Sequence, residues 1–163
     1  MSIKNTFRVF RGGSWNRPKT YARVAKRGMS AAACPADGVG VRLVEIVGGR
    51  VIVREQVTNS EWADFRPWHC YTPGHDNKPV TGVSYREAVE YSQWLSQTTG
   101  LRFRLITEAE RVEAESTFEA DFSRCSREML PDVGTFGRNA AGVTGLLGVT
   151  YDWCLDEGDL LDG

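Results

Sequence analysis

Residues 79–116 read PVTGVSYREAVEYSQWLSQTTGLRFRLITEAERVEAES, and two of the helices that decide the fold start inside this stretch. Ser84 with Glu87, and Thr107 with Glu110, fit the S/T-x-x-E capping box. In that box the hydroxyl accepts from an amide of the first turn and the carboxylate reaches back to the amide of the cap. After the first box, Ala88, Tyr91 and Leu95, with Trp94 beside them, form one apolar face, and Gly100 suits the C-terminal stop. The second box opens EAERVEAE, short and highly charged, which predicts a surface helix with Ala109 and Val112 turned inward. Thr58 with Glu61 makes a third box upstream, so three helices are expected between 58 and 115.

Toward the N-terminus the pattern becomes extended. FRVF (7–10) alternates, and VRLVEIVGGRVIVRE (41–55) reads as a strand, a Gly-Gly turn and a strand, the clearest hairpin in the chain. The segment between RGGSW (11–15) and this hairpin mixes Arg, Lys, Ala and Gly without a period and is expected to be loop. From Ser116 onward glycines and large apolar residues mix irregularly, which predicts little regular structure and loops that fold back tightly on one another.

At 163 residues, 41% hydrophobic and 25% charged, the chain fits one domain with a core, since domains commonly run to ~100–200 residues. A net charge of −1 gives no overall pull toward nucleic acid or an anionic membrane. The charge is divided, however. Every charged residue up to Ala36 is basic and every one after Arg138 is acidic, so the two ends are expected to meet and neutralise each other. MSIKNTFRVF lacks the apolar core of a secretory signal and no apolar run approaches the ~20 residues that span a bilayer, so the expected location is the cytoplasm, without a signal peptide. Cys34, Cys70, Cys125 and Cys154 stand far apart with no CxxC. Buried free thiols are expected, with pairing left open for an oxidising compartment.

Five stretches together resemble the formylglycine-generating-enzyme, or sulfatase-modifying factor, family: RVFRGGSW (8–15), GVGVRLV (38–44), VREQVTNSEWADF (53–65), residues 79–116, and NAAGVTGLLGVTYDWCLD (139–156). The resemblance implies an α+β, C-type-lectin-like single domain over residues 1–163, with few regular elements and much loop. The order of the stretches differs from the family's. Residues 1–47 resemble its C-terminal part and residues 48–163 its N-terminal and middle parts, as if the gene were circularly permuted and joined through Gly48-Gly49. A permutation is tolerated where the old termini lie close together and the new ones open at an exposed loop. A compact permuted relative is also consistent with a phage or other mobile-element origin.

What chemistry the resemblance implies depends on the aligned residues. Enzymes of the family bind copper through two cysteines after the Gly-Gly-Ser turn, and the matching positions here are Arg17 and Ala22. Neither supplies the thiolate that Cu(I) needs, which points away from an enzyme. A branch of the family uses iron held by histidines of an additional helical domain; here only His69 and His75 exist. The cluster WHCYTPGHD (68–76) offers His69, Cys70, His75 and Asp76 as donor types, but the spacing matches no metal motif, and a solvated surface turn at Pro73-Gly74 is the alternative. Copper or iron is therefore not expected. A calcium motif of the family corresponds to GVTYDW, where Val149 replaces an Asn and Asp152 a Glu. Asp152 and Asp156 remain as candidate ligands for an ion that wants six to eight oxygens. Glu108, Glu110 and Glu113 could be proposed as paired acid and base, but capping and surface solvation explain them.

Non-enzymatic relatives in the resemblance bind partners through residues after RGGSW. In this chain that face would contain Trp15, Asn16, Arg17, Lys19, Tyr21, Arg23 and Arg27, bordered by Trp68 and His69. Aromatic and Arg side chains on scaffolded loops concentrate binding energy. The alternatives are a core role for Trp15 and internal pairing of Arg11 and Arg23 with the acidic tail. The expected function is a non-catalytic module that recognises a protein or glycan, a pseudoenzyme of the family. A divergent metal-dependent oxidoreductase of the formylglycine-generating or sulfoxide-synthase type is the alternative. Nucleic acid is disfavoured because the acidic tail should lie beside the basic head, and no membrane role is expected.

Overall fold

The hairpin forms as its sequence predicts. Gly48 and Gly49 adopt φ of 54° and 78°, the two left-handed positions of a two-residue turn that only glycine takes without strain. They join strands whose register runs Val47 to Arg50, Ile46 to Val51 and Glu45 to Ile52. The structure, a computed structural model, describes residues 7–13, 27–122 and 130–157. In chain order its elements are β1 (Phe7–Arg11), β2 (Arg27–Ala31), β3 (Val39–Gly40), β4 (Arg42–Val47), β5 (Arg50–Gln56), α1 (Asn59–Phe65), α2 (Tyr85–Thr99), β6 (Phe103–Leu105), α3 (Glu108–Glu115) and β7 (Tyr151–Glu157). The architecture is α+β, with two small sheets ordered β2-β1-β7-β3 and β5-β4-β6.

Val41 carries the chain from one sheet to the other. Before it, β3 runs parallel to β7, with Val39 opposite Tyr151; after it, β4 pairs with β5 and with β6, Leu43 opposite Leu105. The side chains on this passage supply much of the main core. Val39, Val41, Leu43, Trp62, Val80, Ala88, Tyr91, Leu105 and Trp153 are each 3% exposed or less. Fully burying Val39 or Leu105 stabilises by roughly 1.5–3 kcal/mol relative to exposing it. Aromatic rings lock the helices together, with Trp62 stacked on Tyr91 at 5.2 Å and Phe65 edge-on to both. Trp153 uses its one polar atom as well, donating from Nε1 to the Val83 carbonyl at 3.0 Å.

All three helices start at the expected caps. Ser84 and Thr107 complete their boxes with Glu87 and Glu110, and the Thr58 hydroxyl accepts from the Glu61 amide. Gly100 ends α2 in the left-handed conformation. Three expectations need correction. The supposed loop before the hairpin contains β2, which pairs along all of β1 because Gly28 lies opposite Phe10. A Cβ on Gly28 would collide with the Phe10 ring, so the glycine is a close-approach position within a strand. In α3 the inward residues are Arg111, Ala114 and Glu115, whereas Ala109 and Val112 are exposed. The helix turns a charged side inward because a buried carboxylate, Asp152, awaits it there. Of the described cysteines only Cys154 is buried. Cys34 and Cys70 are exposed, one in the turn that follows β2 and the other in the long loop after α1.

The first and last described strands lie side by side. β1 pairs antiparallel with β7, Arg8 opposite Glu157, and Arg8 Nη1 donates to the Leu155 carbonyl at 3.1 Å. No helix among the described residues is long and apolar enough to cross a membrane.

Candidate ligand-binding face

The segment between α1 and α2 has no regular structure until Ser84, and hydrogen bonds within it decide its shape. Thr58 caps α1, which sets Asn59 on the first turn with only 8% of its surface exposed. Both ends of the Asn59 amide are committed. Nδ2 donates to the His75 carbonyl at 2.9 Å, and Oδ1 lies 3.0 Å from His69 Nε2. An amide oxygen only accepts, so the proton of His69 sits on Nε2 and Nδ1 is the acceptor of the ring. Burial pushes the His69 pKa below its ordinary value, which keeps the imidazole neutral at pH 7. The backbone closes the same loop, His69 donating to the Arg66 carbonyl, His75 to that of Thr72 and Lys78 to that of His75.

Aromatic groups crown this frame. The His69 and Tyr71 rings lie 5.3 Å apart, and Tyr71 donates its hydroxyl to Asp76 Oδ1 at 2.9 Å, a bond that raises the phenol pKa. Arg66 spreads its guanidinium 3.9 Å from the Phe65 ring centre and 5.5 Å from that of Trp68, held by Glu90 at 2.7 Å. Trp68 itself is 72% exposed, the most exposed large hydrophobic side chain among the described residues. The same loop walls a cavity of about 410 Å³, with Asn59, His69, Tyr71, Lys78 and Thr81 in its lining. Two larger clefts, about 660 and 530 Å³, flank β5. Their polar side chains already serve the fold: Glu55 accepts from Thr144, Gln56 donates to Thr150, and Glu110 pairs with Arg104.

Of the residues expected on the binding face, Trp68 and His69 fall on this loop. Trp15, Asn16, Arg17, Lys19, Tyr21 and Arg23 lie outside the described residues, as do Ala22 and Cys125. Arg27 opens β2 opposite Arg11, and only its backbone is described. Asn59, Tyr71, Lys78 and Thr81 complete the site without having been singled out. Asn59 carried a faint signal, since an amide beside a helix cap can reach back into the preceding or following loop.

Asp152 and Asp156 do not make a cation site. The Asp152 carboxylate is fully buried and accepts at Oδ2 from Arg42 Nε at 3.1 Å and from Arg111 Nη1, and at Oδ1 from the Thr150 hydroxyl at 3.1 Å. Two guanidinium ions on one carboxylate repel a further cation. Asp156 accepts from the Glu108 amide at 2.7 Å. The three candidate acid or base glutamates are accounted for in the same way. Glu108 accepts from Arg11 at 3.1 Å, Glu113 is exposed, and Arg104 with the Thr107 cap lowers Glu110 to about 2. Nor do the described thiols offer a copper ligand pair. Burial pushes Cys154 up to about 12, while Cys34 and Cys70 sit on separate segments.

Residues 48–120 match the family model of the Sulfatase-modifying factor enzyme 1-like domain. No curated protein and no solved structure matches the chain.

Proposed function

We propose that this chain, which belongs through residues 48–120 to the sulfatase-modifying factor family, works as a non-catalytic ligand-binding module that recognises a protein or a glycan. The observation that carries the reading is Trp68, 72% exposed on a loop whose neighbouring side chains are already hydrogen-bonded to one another. An aromatic side chain held out on a pre-ordered loop costs little entropy when it binds, and Trp is among the residues that concentrate interface energy. The loop after RGGSW, from Trp15 to Arg27, is the second part of the face in this reading. Arg17 and Ala22 stand where the family's copper thiolates are expected, so the donor chemistry does not fit copper, and no step is assigned to it.

The scaffold in this proposal is a circularly permuted, C-type-lectin-like domain. Two observations support the permutation. The family match starts at Gly48, the first residue of the β4–β5 turn. The first and last described strands lie side by side, Arg8 opposite Glu157. The test is a screen of the full chain and of the Trp68→Ala, His69→Ala double variant against a displayed peptide library and an immobilised glycan panel. Saturable binding by the natural chain that the double variant loses is expected. Stoichiometric copper uptake with oxygen consumption on cysteine peptides would replace the module with an oxidoreductase.

A further inference from the structure

β5 ends its sheet, which is ordered β5-β4-β6, so among the described strands nothing pairs with its outer edge. The direction of its backbone groups follows from β4, where Ile46 donates its amide to the Arg102 carbonyl on the side of β6. Backbone groups alternate sides along a strand. Glu45 and Val47 therefore turn theirs to β5, the facing Ile52 and Arg50 spend theirs on β4, and Val51 and Val53 point N–H and C=O outward. Native edges are usually blunted by proline, lysine or a bulge. Residues 50–53 read RVIV, and the register shift lies beyond them, opposite Arg42 and Val44. Val51 and Ile52 are instead 42% and 41% exposed.

A strand added to this edge sends its side chains alternately to the two faces of the sheet. Those opposite Val51 and Val53 fall over the cleft of about 530 Å³, whose apolar lining is Val51, Val53, Ala114 and Val143. The charged side chains of that cleft are Glu110 and Glu113, and no cation lines it among the described residues. Glu110 is held by Arg104 through both oxygens. Glu113 is exposed, and no side chain among the described residues pairs with it. A Lys or Arg side chain suits this cleft, its methylene stem on the apolar lining and its charge at Glu113. The residue opposite Ile52 falls on the other face beside that exposed aliphatic side chain, and an apolar group suits it. We infer that the β5 edge takes up an extended peptide segment in which basic and aliphatic residues alternate, its backbone pairing with Val51 and Val53 and its basic side chains lying toward Glu113. Main-chain bonds then supply affinity and the cleft supplies selection. A second copy of the chain suits the edge less well, because its own outward residues, Val51 and Val53, bring valine rather than a cation over the cleft. This site shares no residue with the cavity of the His69 loop and goes beyond the binding role proposed above.

The experiment is fluorescence anisotropy of the labelled, end-capped peptide Ser-Lys-Val-Lys-Ile-Lys-Ser titrated with the full chain. Two control peptides run beside it, one with Glu in place of each Lys and one N-methylated at the Lys amides, which are the groups that would face β5. The parent peptide is expected to bind with a Kd below about 1 mM, and both controls at least about tenfold more weakly. Glu113→Lys should weaken binding about threefold to tenfold, and Val51→Pro, which removes an outward N–H and no bond to β4, should abolish it. Trp68→Ala should leave it unchanged. Glu113 is exposed, so its variant is expected to fold, with a far-ultraviolet dichroism spectrum matching the parent's as verification; if Val51→Pro does not fold, the N-methylated peptide makes the same test of edge pairing. Equal binding of either control peptide, equal binding by Glu113→Lys, loss of binding in Trp68→Ala, or no binding up to about 5 mM overturns the inference. So does sedimentation equilibrium that finds a dimer of the natural chain dissociated by Val51→Pro, for the edge then belongs to a second copy. A Trp68-dependent ligand found alongside a failed β5 titration would leave the binding role proposed above standing without this site.

Discussion

Asp152 has no exposed surface and lies between two guanidinium groups, those of Arg42 and Arg111. Desolvation pushes the Arg42 pKa down and the carboxylate opposes that shift. The other N–H groups of Arg42 donate to the carbonyls of Arg54, Thr144 and Gly145, and Arg111 reaches the Leu146 carbonyl and, through Nε, Glu115 at 2.7 Å. One ionic cluster therefore pins the glycine-rich loop before β7 to the hairpin and to α3. Asp152→Asn keeps the shape and removes the charge, leaving Arg111 with Glu115 and Arg42 with Glu55, 4.0 Å away, as their remaining carboxylates. Breaking a buried pair in this way costs about 3–5 kcal/mol, so the urea midpoint at pH 7 should fall by most of the transition. A change below about 1 kcal/mol would mean that water or rearrangement replaces the carboxylate. The sequence carries one sign of the cluster. Arg42 interrupts an apolar run between Val41 and Leu43, and a charge inside such a run asks for a buried partner. Which carboxylate answers could not be known, because Asp152 lies 110 residues away.

Glu110 shows how much of an element is decided locally. It closes the α3 capping box and binds Arg104 through both oxygens, at 2.7 and 2.8 Å, chiefly through the Arg104 hydrogen bond holding its pKa at about 2 against an ordinary 4.5. A depressed carboxylate stabilises the fold fully above the unfolded value and loses that contribution as the pH falls toward the folded one. Glu110→Gln should therefore cost about 1–2 kcal/mol at pH 7, after allowance for the partial exposure of the pair. The gap between variant and parent should close between about pH 4.5 and pH 2, read from denaturation midpoints across that window. A gap that stays constant with pH would assign the effect to packing instead. The three helix starts were legible because a cap and its partner sit three residues apart, and the hairpin was legible because its turn is two glycines. β2 was not, since RGMSA becomes a strand only by lying along β1, and β7 was hidden for the same reason beside β1 and β3. The inward face of α3 was misread by hydrophobicity, because there an ion pair outweighs Val112.

At the scale of the molecule, the division of charge along the chain predicts that its two halves meet; β1 does lie against β7, but Arg11 of the basic head pairs with Glu108 and the partners of Asp152 come from β4 and α3. The loop of Trp68 and His69 was legible as aromatic and polar. Its framing by Asn59 was not, for that depends on how α1 packs under the loop. The pairing of Arg8 with Glu157 sets the start of β1 beside the end of β7, while Gly48 and Gly49 lie at an exposed turn with open space around them. If the body holds together through these contacts and not through the order of its segments, the chain can be opened at the turn and closed at its ends. A rearranged chain beginning at Gly49, running through Gly163 and a short Gly-Ser linker into Met1, and ending at Gly48 should fold. Closing a loop of such modest length costs little, each doubling adding about 0.6 kcal/mol, and the strands on either side of the cut remain held, β4 by β6 as well as by β5. The expected result is the parent's dichroism spectrum and a single cooperative urea transition within about 1–2 kcal/mol of it. Failure to unfold cooperatively would mean that the covalent turn, rather than the packing of Leu43, Val44 and Leu105 around it, holds β5 in register, and the permuted ancestry proposed for this domain would lose its physical basis.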